Sequence, residues 1–280
     1  MIRVCLLAFV LCTHSLYASE PERTTHVYAT TPEGQQLKLD LYRPAEQTRP
    51  LIVWMHGGGW MKGNRSSCPI KPLLDCGYPI ASVEYRLTDV AKFPAQIHDV
   101  KAAIRYLRSE SETLKLKSDV VIAGGTSAGG HLAALLGTTN GHQELEGKLG
   151  DHLEASSNVD AVIDYFGPTN LNTIVPEKLT IRVEALEMLL GGMPKEQEEL
   201  ARLASPVAHA DASDVPILMI HGGFDTTVPL AQSKELKKAY DDNGLTSELI
   251  IIPFGRHGGR EFFDTQKMQQ IDEFLKRTVK

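Results

Sequence analysis

The sequence predicts an α/β fold: a mostly parallel, twisted sheet with helices on both faces and an antiparallel hairpin at its N-terminal edge. Three observations point that way. Short apolar runs recur without polar alternation, helical patterns separate several of them, and only the first strand-like segment alternates around a turn. A brief aliphatic run with no polar face suits a strand covered on both sides. Strands alternating with helices suit parallel pairing in a three-layer domain, because parallel neighbours need long crossovers.

The elements follow in order. "THVYATTPEGQQLKLDLYRP" (25–44) alternates about "PEGQ" and reads as the hairpin. "LIVWM" (51–55), "PIASVEY" (79–85), "VVIAGG" (120–125), "DAVIDYF" (160–166), "PILMIHG" (216–222) and "ELIIIP" (248–253) read as strands buried on both faces. Ile97, Val100, Ile104 and Leu107 share one face of a helix with Pro94 in its first turn. Leu132, Leu135 and Leu136 mark a second helix, and Leu236 and Tyr240 a third that Gly244 ends. Met268, Ile271, Phe274 and Leu275 form the closing one. Residues 171–204 break the alternation with two helical patches and no strand. We expect a small helical cap insertion there, over the strand ends, with "KEQEEL" (195–200) as a solvated face. Without a linker, repeat or low-complexity tract, residues 19–280 are expected to form a single domain.

The first residues, "MIRVCLLAFVLCTHSLYASEPERTT", carry one basic residue at Arg3, an apolar run from Val4 to Cys12 and a small-residue site ending at Ala18. That pattern predicts a signal peptide over 1–18 and an exported product, secreted or periplasmic. The apolar run is too short to span a membrane, and no integral membrane segment is expected after cleavage. Removal of 1–18 leaves 28 basic against 35 acidic residues, a net charge of about −7. Such a surface repels phosphate backbones, so nucleic acid is not an expected partner. Cys68 and Cys76 remain in the mature chain. A helical "CPIKPLLDC" would separate their Cα atoms by about 12 Å, beyond disulfide reach, so two free, partly buried thiols are expected. Oligomeric state is left open.

Ser127 lies in Gly125-Thr126-Ser127-Ala128-Gly129, a G-x-S-x-G between an expected strand and an expected helix. Small residues let such a turn bend sharply and expose the serine. A serine hydroxyl is a weak nucleophile without a base, and the base needs a partner that sets its tautomer. Asp225 follows the strand "PILMIHG" and His257 follows "ELIIIP", in the chain order Ser, acid, His and at the carboxyl ends of strands, where open α/β sheets place their sites. "HGGGW" (56–60) ends "LIVWM" with glycines whose N–H groups can approach a substrate. Gly58, Gly59 and Ala128 are the expected oxyanion donors. His56 is expected to prop that loop. Trp60, Tyr85 and Phe166, with Phe93, are candidates for lining a substrate pocket, a core role being the alternative for each.

These residues resemble an α/β-hydrolase of the hormone-sensitive-lipase-like esterase group, particularly bacterial exported bifunctional feruloyl and acetyl-xylan esterases. The likeness runs through "WMHGGGWMKGN", "ASVEYRL", "FPAQIHDVKAAIRYLR", "GGTSAGGHLAALLG", "ASPVAHA", "PILMIHGGFDTTVPLAQS" and "GRHGG". It implies Ser127, Asp225 and His257 as triad, and Gly58, Gly59 and Ala128 as oxyanion hole. It also implies short acyl groups on a small alcohol or an oligosaccharide, and a site roofed by 171–204. Thr126, Glu84 and Gly258-Gly259 depart from the commoner pattern, where Asp, Asp and Gly-Phe stand.

A serine carboxylic-ester hydrolase is therefore the leading reading, with a serine peptidase of the same fold and a non-catalytic binding protein as alternatives. No histidine pair stands four residues apart with a carboxylate between, no Cys-x-x-Cys occurs, and "GGTSAGG" lacks the lysine of a phosphate loop. Neither metal nor cofactor is expected. His98, His131 and His221 are read as supporting the fold or the residues around the site.

Overall fold

The computed structural model describes residues 22–174 and 183–279. The expected signal segment and residues 175–182 of the expected cap lie outside the described residues. The chain opens with strands β1 (Arg23–Thr30) and β2 (Gln36–Tyr42), an antiparallel hairpin. Then come β3 (Leu51–Met55), β4 (Ile80–Val83), α1 (Ala95–Ser109), β5 (Val121–Thr126), α2 (Ala128–Gly137), α3 (Gln143–Glu146) and β6 (Ala161–Tyr165). The rest comprises α4 (Val183–Leu190), α5 (Glu198–Leu203), β7 (Ile217–Gly222), α6 (Ala231–Asp242), β8 (Ser247–Ile252) and α7 (Thr265–Thr278).

One eight-stranded sheet runs β1-β2-β4-β3-β5-β6-β7-β8. β2 is antiparallel to β1 and β4, and the pairs from β4 through β8 are parallel. Successive strand residues face opposite sides, and the core divides accordingly. Leu51, Val53 and Met55 pack with Ile97 of α1, Leu132 of α2 and Leu236 of α6. Ile52 and Trp54 pack on the other side with Leu73 and with Ile271 and Phe274 of α7. Helices thus cover both faces, which is why the central strands carry no polar alternation.

Four details differ from the sequence expectations. β8 is an edge strand, and Ile251 is 42% exposed, so "ELIIIP" is not buried on both faces. Pro94 caps α1 instead of sitting within its first turn. Helical geometry in "CPIKPLLDC" is confined to a 3-10 segment, Lys71–Cys76. Both thiols are free, but Cys68 is buried and Cys76 exposed, since only the former packs into the core cluster with Ile52, Trp54 and Leu73.

α1 also buries two cations. Lys101 Nζ donates to Glu146 Oε2 at 3.1 Å and to the Thr139 carbonyl, and Arg105 donates to Glu146 Oε1 at 2.5 Å and to the Leu149 carbonyl. Burial would raise the Glu146 carboxyl. The Ser157 hydroxyl and the two cations outweigh it and hold the group below the ordinary carboxylate value. Glu146→Ala strands both cations, and because Glu146 is itself one-third exposed the expected loss is about 2 kcal/mol, less than for a fully buried pair. A carboxyl depressed in the folded state contributes stability that is complete above its unfolded value of about 4.3 and lost as pH falls through the folded one. Urea unfolding should therefore show the full wild-type advantage at pH 7 and a shrinking one below about pH 4.

Candidate active site

The sheet order reverses at β3, which has β4 on one side and β5 on the other. Open α/β sheets form a crevice at such a point, outside the carboxyl ends of the strands. Met55 lies level with Gly125, so the chain leaving β3 and the turn leaving β5 meet side by side. Ser127 occupies that turn as the residue before α2, with φ 52° and ψ −117°, a conformation unfavourable for a residue with a Cβ. Its N–H donates to the Tyr165 carbonyl at 2.8 Å and its carbonyl accepts the His131 N–H at 2.9 Å, so the bend is held from both sides. The flanking glycines answer a contact: a Cβ on Gly129 would stand 2.1 Å from the Met55 carbonyl oxygen, and one on Gly125 2.3 Å from the Gly129 backbone. Strand and helix touch backbone to backbone here.

His257, on the loop after β8, reaches this turn. Ser127 Oγ donates to His257 Nε2 at 2.8 Å, and His257 Nδ1 donates to Asp225 Oδ2 at 2.6 Å. An ionised carboxylate only accepts, which puts the hydrogen on Nδ1 and leaves the Nε2 lone pair toward the serine. Asp225 Oδ1 accepts the N–H groups of Thr227 and Val228 at 2.7 and 2.9 Å. Burial alone would raise the Asp225 carboxyl. Contacts with His221 and His257, the His257 charge and the Val228 amide more than offset it, and hold the group well below the usual carboxylate range. Asp225 therefore stays ionised beside the imidazole.

The loop after β3 brings the third part. Gly58 and Gly59 take φ of 120° and 63°, open chiefly to glycine, and among the described residues their amides donate to no other backbone group outside the regular elements. Ala128, the first residue of α2, has no intrahelical acceptor for its N–H. All three residues line the same cleft as Ser127 and His257. His56 Nδ1 donates to its neighbour's carbonyl, Gly57, at 2.7 Å, and its ring stacks on Tyr85 with centroids 4.4 Å apart. Burial lowers the His56 imidazole and favours its neutral form. It props the loop.

The cleft holds about 710 Å³. Of the candidate pocket residues, Trp60 and Phe166 line it, and Phe166 packs 4.7 Å from the His257 ring. Tyr85 and Phe93 do not. Tyr85 is buried behind His56 and donates its hydroxyl to the His56 carbonyl at 2.8 Å, a position fixed by the ring stack, and Phe93 sits in the core. Ile174, Leu186 of α4, Val228 and Phe263 also line the cleft and carried no sequence signal beyond being apolar. Ile174, Glu184, Ala185 and Leu186 show that the described parts of segment 171–204 reach the cleft wall. His131 is buried and donates Nε2–H to the Ala204 carbonyl at 2.6 Å, with its imidazole pushed down to about 4 by burial. It ties α2 to the chain after α5.

The strained backbone at Ser127 has a measurable consequence. Ser127→Gly removes the Cβ from an unfavourable conformation, so the variant should be about 1 kcal/mol more stable than wild type in urea unfolding. A variant less stable than wild type would contradict the strain.

Residues 39–240 match the BD-FAE family. Esterase LipC of Mycobacterium tuberculosis is 28% identical over 204 residues, covering 70% of this chain and 50% of the relative. The chain spans about half the length of the curated relatives it matches first. A solved structure described as a truncated form of a carbohydrate esterase from gut microbiota is 34% identical, with a TM-score of 0.81 over 92% of this chain and 97% of that one. A propionate-bound thermophilic esterase of Thermogutta terrifontis is 28% identical, with a TM-score of 0.74 over 91% and 94%. The sheet topology, the strained strand-to-helix turn and these similarities converge: the chain has the α/β-hydrolase fold and belongs to the BD-FAE family.

Proposed function

We propose that the chain is a serine carboxylic-ester hydrolase that works through an acyl-enzyme. The observation that carries this is the unbroken line Ser127 Oγ, His257, Asp225, with spacings of 2.8 and 2.6 Å, opening on one cleft with the amides of Gly58, Gly59 and Ala128. Ser127 Oγ attacks the ester carbonyl while His257 Nε2 takes its proton, and Asp225 holds the imidazole in place and stabilises its cation. The three amides receive the oxyanion, a contribution of about 3 kcal/mol per donor. His257 then protonates the leaving alcohol, and water repeats the sequence on the acyl group. The side chains needed for each proton transfer are all within this set.

On this reading the acyl group is either a short chain or a feruloyl group. The Thermogutta esterase to which the chain is similar holds propionate, and the gut-microbiota relative is described as a carbohydrate esterase. Acetyl or feruloyl groups on plant cell-wall carbohydrate are the substrates we propose, with the described residues of the cap insertion, 171–174 and 183–204, forming one wall of the cleft. We also propose that the chain is exported after cleavage near Ala18.

Two measurements test these statements. Ser127→Ala should lower kcat at least 10³-fold on p-nitrophenyl acetate, acetylated xylan or methyl ferulate, whichever wild type turns over, and near-normal activity would refute the nucleophile. Intact mass of the protein recovered from its source should begin near Ser19, and a chain retaining Met1 would rule out the cleavage.

A further inference from the structure

We propose that His221 is a positioning residue that holds the carboxylate of Asp225 in line with His257. This rests on the triad reading above. His221 is fully buried near the end of β7, four residues before Asp225. Its Nε2 faces two acceptors, the Val228 carbonyl at 2.9 Å and Asp225 Oδ2 at 3.5 Å, the latter being the oxygen that accepts from His257. A carbonyl only accepts, so Nε2 carries a hydrogen, and Nδ1 takes the Ser233 hydroxyl at 2.7 Å. One ring thereby joins the end of β7, the loop that follows it and the first turn of α6.

Val228 is where this becomes specific to the site. Its N–H donates to Asp225 Oδ1 at 2.9 Å while its carbonyl is held by His221. The loop is closed on both sides of one residue, and the carboxylate cannot rotate without breaking one of these bonds. The contact to Asp225 Oδ2 is long, so the shorter bond to Val228 carries the restraint. Serine attack depends on the tautomer and direction of the His257 ring, which depend on where Oδ2 points. A shift of about 1 Å in such a group can lower turnover about 10²-fold. Leu in place of His221 would leave the Val228 carbonyl and the Ser233 hydroxyl without these partners and free the loop. Gln can still offer an N–H to that carbonyl.

The test compares His221→Leu, His221→Gln, Ser233→Ala and Ser127→Ala on p-nitrophenyl acetate, with rates of the His221 and Ser233 variants expressed per site titrated by a serine-directed phosphonate and that of Ser127→Ala per folded chain. His221→Leu should lose roughly 10- to 100-fold in kcat with KM within about threefold, and His221→Gln should recover most of that loss. A His221→Leu kcat within about threefold of wild type, or a Gln variant impaired as much as Leu, would overturn the proposal. Should the Leu variant fail to fold, Ser233→Ala decides: a loss of roughly three- to tenfold in kcat at unchanged KM supports the role, and an unchanged kcat overturns it. Activity surviving in Ser127→Ala would overturn the triad reading itself. An inactive Ser127→Ala beside an unimpaired His221→Leu would overturn only the part assigned to His221.

Discussion

The contact between the backbone of α2 and the end of β3 is the constraint on which the rest of the site depends. No Cβ fits between Gly129 and the Met55 carbonyl, nor between Gly125 and the Gly129 backbone. Because of that closeness the turn at Ser127 must be sharp, and sharpness forces the serine to a positive φ with its hydroxyl at the top of the sheet. The same contact lays the loop after β3 against the start of α2, so the amides of Gly58 and Gly59 border one cleft with that of Ala128. The proposed nucleophile and the proposed donors for its oxyanion are thus two outcomes of one packing event.

Around that event the supporting polar groups are restrained in layers. Asp225 Oδ1 accepts two loop amides and Oδ2 faces the imidazoles of His257 and His221, so both oxygens of the carboxylate are held. His56 is held by its own loop and by the Tyr85 ring, and His131 by the Ala204 carbonyl. Burial lowers the His56 and His131 imidazoles and favours their neutral forms. The strain at Ser127 is sustained because the end of β6 and α2 bond to its backbone and the His257 loop to its hydroxyl.

Much of this arrangement is legible in the linear sequence. Unalternated runs such as "LIVWM" correspond to strands because both faces of a parallel sheet are covered, and Asp225 and His257 stand out because each follows such a run. What the pattern does not carry is set by partners distant in sequence. β8 has the same composition as its buried neighbours, and only its place at the sheet edge exposes Ile251. Tyr85 reads equally as pocket or core until the stack on His56 turns it away from the cleft. Ile174, Leu186 and Phe263 meet at the cleft through tertiary packing and share no motif. His221 is visible as a histidine ending a strand, but its link to the site passes through Val228 and Ser233, beyond a turn whose course the residue types alone do not specify.

The convergence of Ser127 with the glycine loop is the central claim, and a structure of the protein trapped with a small phosphonate tests it most directly. Phosphorus is expected on Ser127 Oγ, with the phosphoryl oxygen within about 3.1 Å of the amide nitrogens of Ala128 and of Gly58 or Gly59. Phosphorus on another residue, or a phosphoryl oxygen turned away from those amides by more than about 3.5 Å, would contradict it.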